Sequence, residues 1–282
     1  MSSRYTAWFA WRPGSHLAPA CPPDAPVLAA DSFLLQDGRA RFTAGHRARF
    51  LAACRAAGAG RGLDADGFFT QALARLPRTG AWFPRVELLG GAHPVLGLRL
   101  RPCPARTGRV RLGCWHGSDP RTCPTRKGPD LAALAGLRAH AQARGADDYL
   151  LTTPDGRASE STSATLLWWQ DGRLCLPAPG LPVLPGITAA WITARATRLG
   201  IPLAPRAVRP AELSGHEVWL VNALHGIRPV TAWPHTPYRA GPAERAERWQ
   251  RAWQDAARPL PAPPPAARPP APRPPARQAA RP

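Results

Sequence analysis

Apolar residues recur along the first half of the chain in two rhythms. YTAWFAW (5–11) and DSFLLQDGRARF (31–42) show the short apolar runs and turn residues of strands. TAGHRARFLAACRAAG (43–58) and LDADGFFTQALARL (63–76) repeat apolar positions every three or four residues, which predicts helices with one buried face. Gly58 and Gly60 are placed to close the first of these. WFPRVELLG (82–90) and PVLGLRLRP (94–102), separated by Gly-Ala-His, predict a hairpin, and GRVRLGCW (108–115) a further strand.

A polar stretch with prolines, Ser118 to Arg126, interrupts the pattern and marks a linker. Beyond it, Pro129 sits where a helix can start, and LAALAGLRAHAQARG (131–145) is amphipathic and ends at Gly145. DYLLTTPDGRASE (148–160) and TLLWWQDGRLCLP (165–177) are strand segments that each carry an Asp-Gly turn. GITAAWITARATRLG (186–200) predicts a helix from Gly186 to Gly200, and HEVWLVNALHGIRPVTAW (216–233) two strands around a turn at His225-Gly226. The alternation predicts an α+β protein of two domains: residues 1–117 as a small N-terminal unit, 118–126 as linker, and 127–257 as a second unit. From Arg258 to Pro282 the chain is nearly all Pro, Ala and Arg, too poor in apolar surface to offset its ordering entropy, and is expected to be a disordered tail.

The chain is 282 residues long, which suffices for two small cores. A net charge of +19 raises nucleic acid as a partner. The basic residues, however, are spread along helices, loops and tail, and all but one of the 37 Lys+Arg are arginine, the signature of coding bias. Trp168 and Trp169, the candidate stacking pair, are strand neighbours whose side chains point to opposite faces, which favours core packing. Nucleic acid therefore enters only as a weak contact of the tail. Six cysteines form no C-x-x-C pair and have no His partner at finger spacing, so neither a metal site nor a disulfide framework is expected. The N-terminus lacks an uninterrupted apolar segment and no run is long enough to span a bilayer, so the expected location is cytoplasmic.

Arginine bias makes the one lysine, Lys127, informative. A guanidinium stays protonated, whereas a lysine amine can be made neutral and nucleophilic. Glu160 ends the DGRASE strand, where a carboxylate can meet a ring nitrogen, although a solvated charge is the commoner use of such a residue. LPGIT sets the amides of Ile187 and Thr188 and the Thr188 hydroxyl at the positive end of a helix, a phosphate site in outline. In GHRARFL, Arg49 follows His46 by one helical turn and presents a fork suited to phosphate oxygens. Arg209, Arg228 and His225 can be read as contacts for substrate carboxylates, but on so arginine-rich a chain ordinary surface arginines are the better reading.

In order and spacing these pieces resemble the class IV aminotransferase family, the fold-type IV enzymes of pyridoxal 5'-phosphate (PLP). The likeness runs from about Asp31 to Val230 and is strongest in RKGPDL (126–131), in 147–177, in LPGIT and in NALHGIRPV. The resemblance implies PLP in the cleft between two domains, a homodimer, and a small amino substrate. It implies Lys127 as the amine that joins the cofactor covalently and as the catalytic base, Glu160 as the partner of the pyridine nitrogen, and Arg49, Ile187 and Thr188 as phosphate ligands. Two positions depart from the family: Thr165 stands where Asn is usual, and Ala223 replaces a Ser/Thr, leaving the cradle there to the amides of Ala223 and Leu224. The NAL turn resembles aminodeoxychorismate lyases, which convert 4-amino-4-deoxychorismate to 4-aminobenzoate and pyruvate, more than it resembles the branched-chain or D-amino-acid transaminases.

Overall fold

A computed structural model describes residues 7–12, 16–58 and 62–262. In the N-terminal half, β1 (Ala7–Arg12), β2 (His16–Pro19) and β3 (Val27–Ser32) are followed by the short β4 (Leu35–Gln36) and β5 (Arg39–Ala40). Helices α1 (Thr43–Ala57) and α2 (Ala65–Arg75) come next, then β6 (Ala81–Trp82), β7 (Arg85–Leu89) and β8 (Val95–Leu100). The expected hairpin is β7 and β8, registered Leu89 on Val95. With β1, β2 and β3 they make an antiparallel sheet in the order β2-β1-β8-β7-β3. The three-and-four spacing of α1 and α2 does what the pattern requires: Phe50, Ala53, Phe68, Phe69 and Ala72 bury against Phe9, Leu88 and Leu98 of the sheet. Helix α1 ends on Gly58, whose φ of 69° is the left-handed conformation that closes a helix. Gly60 lies outside the described residues.

The C-terminal half runs β9 (Val110–Cys114), α3 (Leu131–Ala143), β10 (Asp148–Thr152), β11 (Ala158–Ser161), β12 (Thr165–Gln170), β13 (Arg173–Pro177), α4 (Ile187–Arg198), β14 (Leu203–Arg206), β15 (Glu217–Asn222), β16 (Gly226–Ala232), α5 (Ala246–Asp255) and β17 (Arg258–Pro259). Its sheet has the order β11-β10-β9-β16-β15-β12-β13-β14, and β11 also pairs with β12, so six strands close on themselves. One face packs Leu112, Leu150, Leu166, Trp168 and Leu220 inside the ring. The other face packs Trp169, Trp219, Val221 and Ile227 against α4 and α5. Trp168 and Trp169 thus divide between two cores, as strand alternation demands.

Three expectations need correction. β9, assigned from sequence to the first unit, is parallel to β10 and β16 and belongs to the second sheet, so division by sheet falls between β8 and β9. The segment expected to begin the disordered tail instead returns to the N-terminal half. There β17 pairs with β5, the Leu260 amide donates to the Gly38 carbonyl at 2.8 Å, and the Leu260 side chain joins the first core. One leucine among the prolines supplies the apolar anchor that composition averaged away. DSFLLQDGRARF is not one strand: β3 ends at Ser32, and a tight turn at Asp37-Gly38, both with positive φ, folds β4 back on β5. Helix α5 went unread because its stretch is mostly polar; only Ala246, Trp249 and Trp253, at three-and-four spacing, are buried. No described helix is long and apolar enough to cross a membrane.

Candidate active site

A cavity of about 330 Å³ opens where the two halves meet, and Lys127, Glu160, Arg49, Ile187, Thr188, Ala223 and Leu224 all line it. Sequence segments more than 170 residues apart (49 to 224) converge there because strand ends and a helix start of the second half face α1 and β3 of the first.

Lys127 follows the linker but is fixed by the N-terminal half. Its carbonyl accepts from the Ala30 amide of β3 at 2.8 Å. Gly128, with φ of 146°, lies so close to Ala29 that a Cβ would fall 2.7 Å from the Ala29 Cα, so no side chain fits there. Burial, reinforced by the Arg49 charge, pushes the Lys127 amine down to about 8, and Asp31 and Glu160 only partly oppose this. The amine is therefore available in neutral form close to physiological pH, as a base or nucleophile requires.

Glu160 sits at the end of β11, its carboxylate bound by the Arg121 guanidinium and, at 3.1 Å, by the Leu184 amide. Burial pushes this carboxyl up to about 7 against the opposing pull of Arg121, the Leu184 amide and Lys127. Arg121, whose side chain is only 2 % exposed, also grips Asp119 and donates to the Pro182 carbonyl at 2.9 Å. Sequence reasoning passed over Arg121 as one arginine of many. Its signal was the neighbouring Asp119 within a polar linker, which suffices to hold a guanidinium inward.

The phosphate end has two parts. Helix α4 begins at Ile187 with no acidic residue in its first turn and no side-chain cap, so its amides and dipole face the cavity uncompensated. Thr188 is 1 % exposed and its hydroxyl has no hydrogen-bond partner. A buried hydroxyl without a partner costs free energy unless a ligand supplies one. Arg49 behaves differently from expectation: its fork is spent on Asp31, with Nε at 2.8 Å and Nη2 at 2.9 Å, while Nη1 donates to the Pro185 carbonyl at 3.1 Å. Asp31 is completely buried and also bonds His46 Nδ1 at 2.8 Å. Burial would raise its pKa, but Arg49 and His46 outweigh burial and hold the carboxyl far below the usual range. Charge neutrality in a buried corner claims the fork before any ligand does.

The Asn222–His225 turn closes the cavity. Asn222 Oδ1 accepts from the amides of Leu224 (3.1 Å) and His225 (2.8 Å), so the Leu224 amide expected in the cradle is occupied and the role narrows to Ala223. Thr165, the departure from the family, pairs with Glu160 and Val221 across the sheet, and its hydroxyl would lie 2.5 Å from any Cβ on Gly186. Arg209 is exposed and stands outside the lining, whereas His225 is part of it and Arg228 is buried, not a surface residue.

The residues present fit PLP: a lysine with a lowered pKa, a carboxyl for the ring nitrogen, and an unpartnered hydroxyl beside an open helix start. The model of the family described as amino-transferase class IV matches residues 28–233. The chain belongs to the class IV aminotransferases. As a member of that family it is a PLP enzyme. No curated protein matches it significantly in sequence. Among solved structures, it resembles a PLP-bound hypothetical aminotransferase from Mycobacterium tuberculosis at 21% identity and TM-score 0.71, covering 89% of this chain and 98% of that one. A branched-chain aminotransferase from Escherichia coli shares 16% identity with TM-score 0.74 (88% and 94% covered), and another from Thermobaculum terrenum 14% with TM-score 0.75 (90% and 94%). At these identities the likeness is one of fold.

Proposed function

We propose that this class IV enzyme is an aminodeoxychorismate lyase, releasing 4-aminobenzoate and pyruvate from 4-amino-4-deoxychorismate. The observation that carries the reading is the charge of the cavity wall. Beyond the phosphate end it presents Arg85, Arg101, Arg126 and Arg138, and the one carboxylate among them, Asp130, is consumed by the Thr122 and Cys123 amides. Arg85 is paired with Glu87, but among the described residues no carboxylate lies within ion-pair distance of Arg101, Arg126 or Arg138. Burial and the neighbouring Arg85 and Arg99 push the Arg101 guanidinium down to about 10, offset in part by Glu87; a substrate carboxylate relieves that cost. The substrate of the lyase carries two carboxylates, whereas a branched-chain amino acid offers one and wants an apolar wall.

When bound, PLP supplies an electron sink for the carbon bearing the substrate nitrogen. Lys127 would hold the cofactor and, once released by the substrate amine, would as a neutral amine take the proton from that carbon. Glu160 would keep the ring nitrogen protonated, and Arg121 keeps Glu160 in place. Thr188, Ile187 and the Ala223 amide would hold the phosphate, with Arg49 beside them in the cavity lining. The ring carbon–oxygen bond would then break, the proton taken by Lys127 would go to the departing enolpyruvate, released as pyruvate, and Lys127 would retake its place to free the amine of 4-aminobenzoate. The same reading has the chain act as a homodimer in the cytoplasm.

The test is to mix PLP-loaded protein with 4-amino-4-deoxychorismate in the absence of any keto acid. Release of 4-aminobenzoate supports the lyase. No release, with amino acids instead converting PLP to pyridoxamine phosphate, establishes a transaminase, the reading that the named structural relatives favour.

A further inference from the structure

Arg228 is the anomaly of the second sheet. It lies on β16 opposite Leu220, is 5 % exposed, and its Nε and Nη2 have no hydrogen-bond partner; Nη1 reaches only the Thr107 hydroxyl at 3.4 Å. The nearby carboxylates are committed elsewhere: Asp147 to Arg111, and Asp148 to the hydroxyls of Ser161, Thr162 and Ser163. A buried guanidinium so poorly matched is costly unless an anion or another polar partner meets its field.

Thr107 links this charge to the cavity. While its hydroxyl touches Arg228, its amide donates to His225 Nδ1 at 3.2 Å, so the neutral ring carries its proton on Nε2 and is a donor. Burial together with Arg228, Arg138 and Arg106 pushes His225 down to about 3, which keeps it in that neutral donor form throughout the working pH range. Arg138, on α3, lines the same cavity and has no ion pair among the described residues. Arg138 of α3 and Arg228 of β16 therefore direct positive potential, and His225 a hydrogen-bond donor, toward one corner, and among the described residues neither arginine has an ion-pair partner; Asp147 and Asp148 act on Arg228 only from a distance.

We propose that Arg138 and His225, backed by the buried charge of Arg228, form the subsite for a second carboxylate of the substrate, distinct from the Arg101 wall. The proposal rests on the dicarboxylate reading above and deepens it. Arg138 contributes a direct ion pair, the His225 Nε2–H a neutral hydrogen bond, and Arg228 acts through its field.

The experiment is calorimetric binding to the PLP-loaded protein with two probes: chorismate, a dicarboxylate whose hydroxyl replaces the reacting amine, and benzoate, a monocarboxylate. The wild type is expected to bind chorismate more tightly than benzoate. Arg138→Gln, an exposed substitution, is expected to weaken chorismate about tenfold, the size of a lost charged hydrogen bond, and benzoate hardly at all. His225→Phe is expected to act in the same direction by a smaller factor. Arg228→Met should do likewise, with thermal melting used to check its fold. Equal loss for both probes, or no loss for chorismate in Arg138→Gln, overturns the subsite whatever the lyase assay shows. If Arg138-dependent discrimination is found but no 4-aminobenzoate is released, the lyase reading falls and the subsite stands for an amino dicarboxylate such as glutamate.

Discussion

The two ends of the cavity use arginine in opposite ways. At the Arg49 end, the guanidinium faces a completely buried Asp31 through two hydrogen bonds, and His46 completes the cluster. At the Arg138 end, Arg138, Arg101 and Arg228 lack such a partner, and His225 is held neutral among them. Paired charge fixes geometry, because removing either member strands the other in low dielectric. Where such an unpaired charge is buried, as at Arg228, it costs stability in the free protein until a ligand brings the counter-charge, whereas the exposed Arg138 is kept in solvent and is free to meet a ligand. An arginine-rich chain hides this difference in its sequence; only burial and partners reveal it.

The comparison can be broken most severely at the residue between the two ends. Lys127→Ala is expected to lower turnover by at least about 10²–10⁴-fold, the contribution of a general base alone, measured as substrate consumption with PLP in excess. Next in size is Asp31→Asn, which strands Arg49 and His46. We expect a loss of about 3–5 kcal/mol in denaturant unfolding, as for a broken buried pair. The sign with pH follows from the depressed carboxyl: its stabilisation is complete above the ordinary Asp range of about 4 and is lost as pH falls below it. Asp31→Asn should therefore flatten the acid limb of the stability curve.

Glu160 behaves oppositely. Its carboxyl is raised to about 7, so the cofactor-free protein is expected to lose stability as pH rises from the ordinary Glu range toward 7, and Glu160→Gln to abolish that slope. PLP affinity should improve over the same rise as the carboxylate forms, and Arg121→Gln should shift that improvement to higher pH. Thr188→Val gives the smallest and most diagnostic effect. It removes a buried hydroxyl that lacks a partner, so the cofactor-free protein should be unchanged or slightly stabilised while PLP affinity falls roughly tenfold, as for one lost hydrogen bond to a charged group.

Much of this was legible in the sequence because local chemistry and position agreed. One lysine in an arginine chain, a carboxylate at a strand end and a glycine before a helix all lie where the residues alone place them. The resemblance supplied their order. What escaped was whatever depends on partners across the fold. Arg49 looked like a free fork until Asp31 claimed it, the Leu224 amide looked available until Asn222 took it, and Arg228 looked like surface until β16 buried it. Leu260 and α5 were missed for the complementary reason, that a few apolar anchors vanish in a polar average.

The most direct test of the account treats the PLP-loaded protein with sodium borohydride, which fixes a cofactor joined to an amine, and maps the adduct by peptide mass spectrometry. Because Lys127 is the only lysine in the chain, the account predicts a single stoichiometric adduct on its peptide, displaced when substrate is added before reduction. An adduct confined to the N-terminal amine, or none at all, would contradict it.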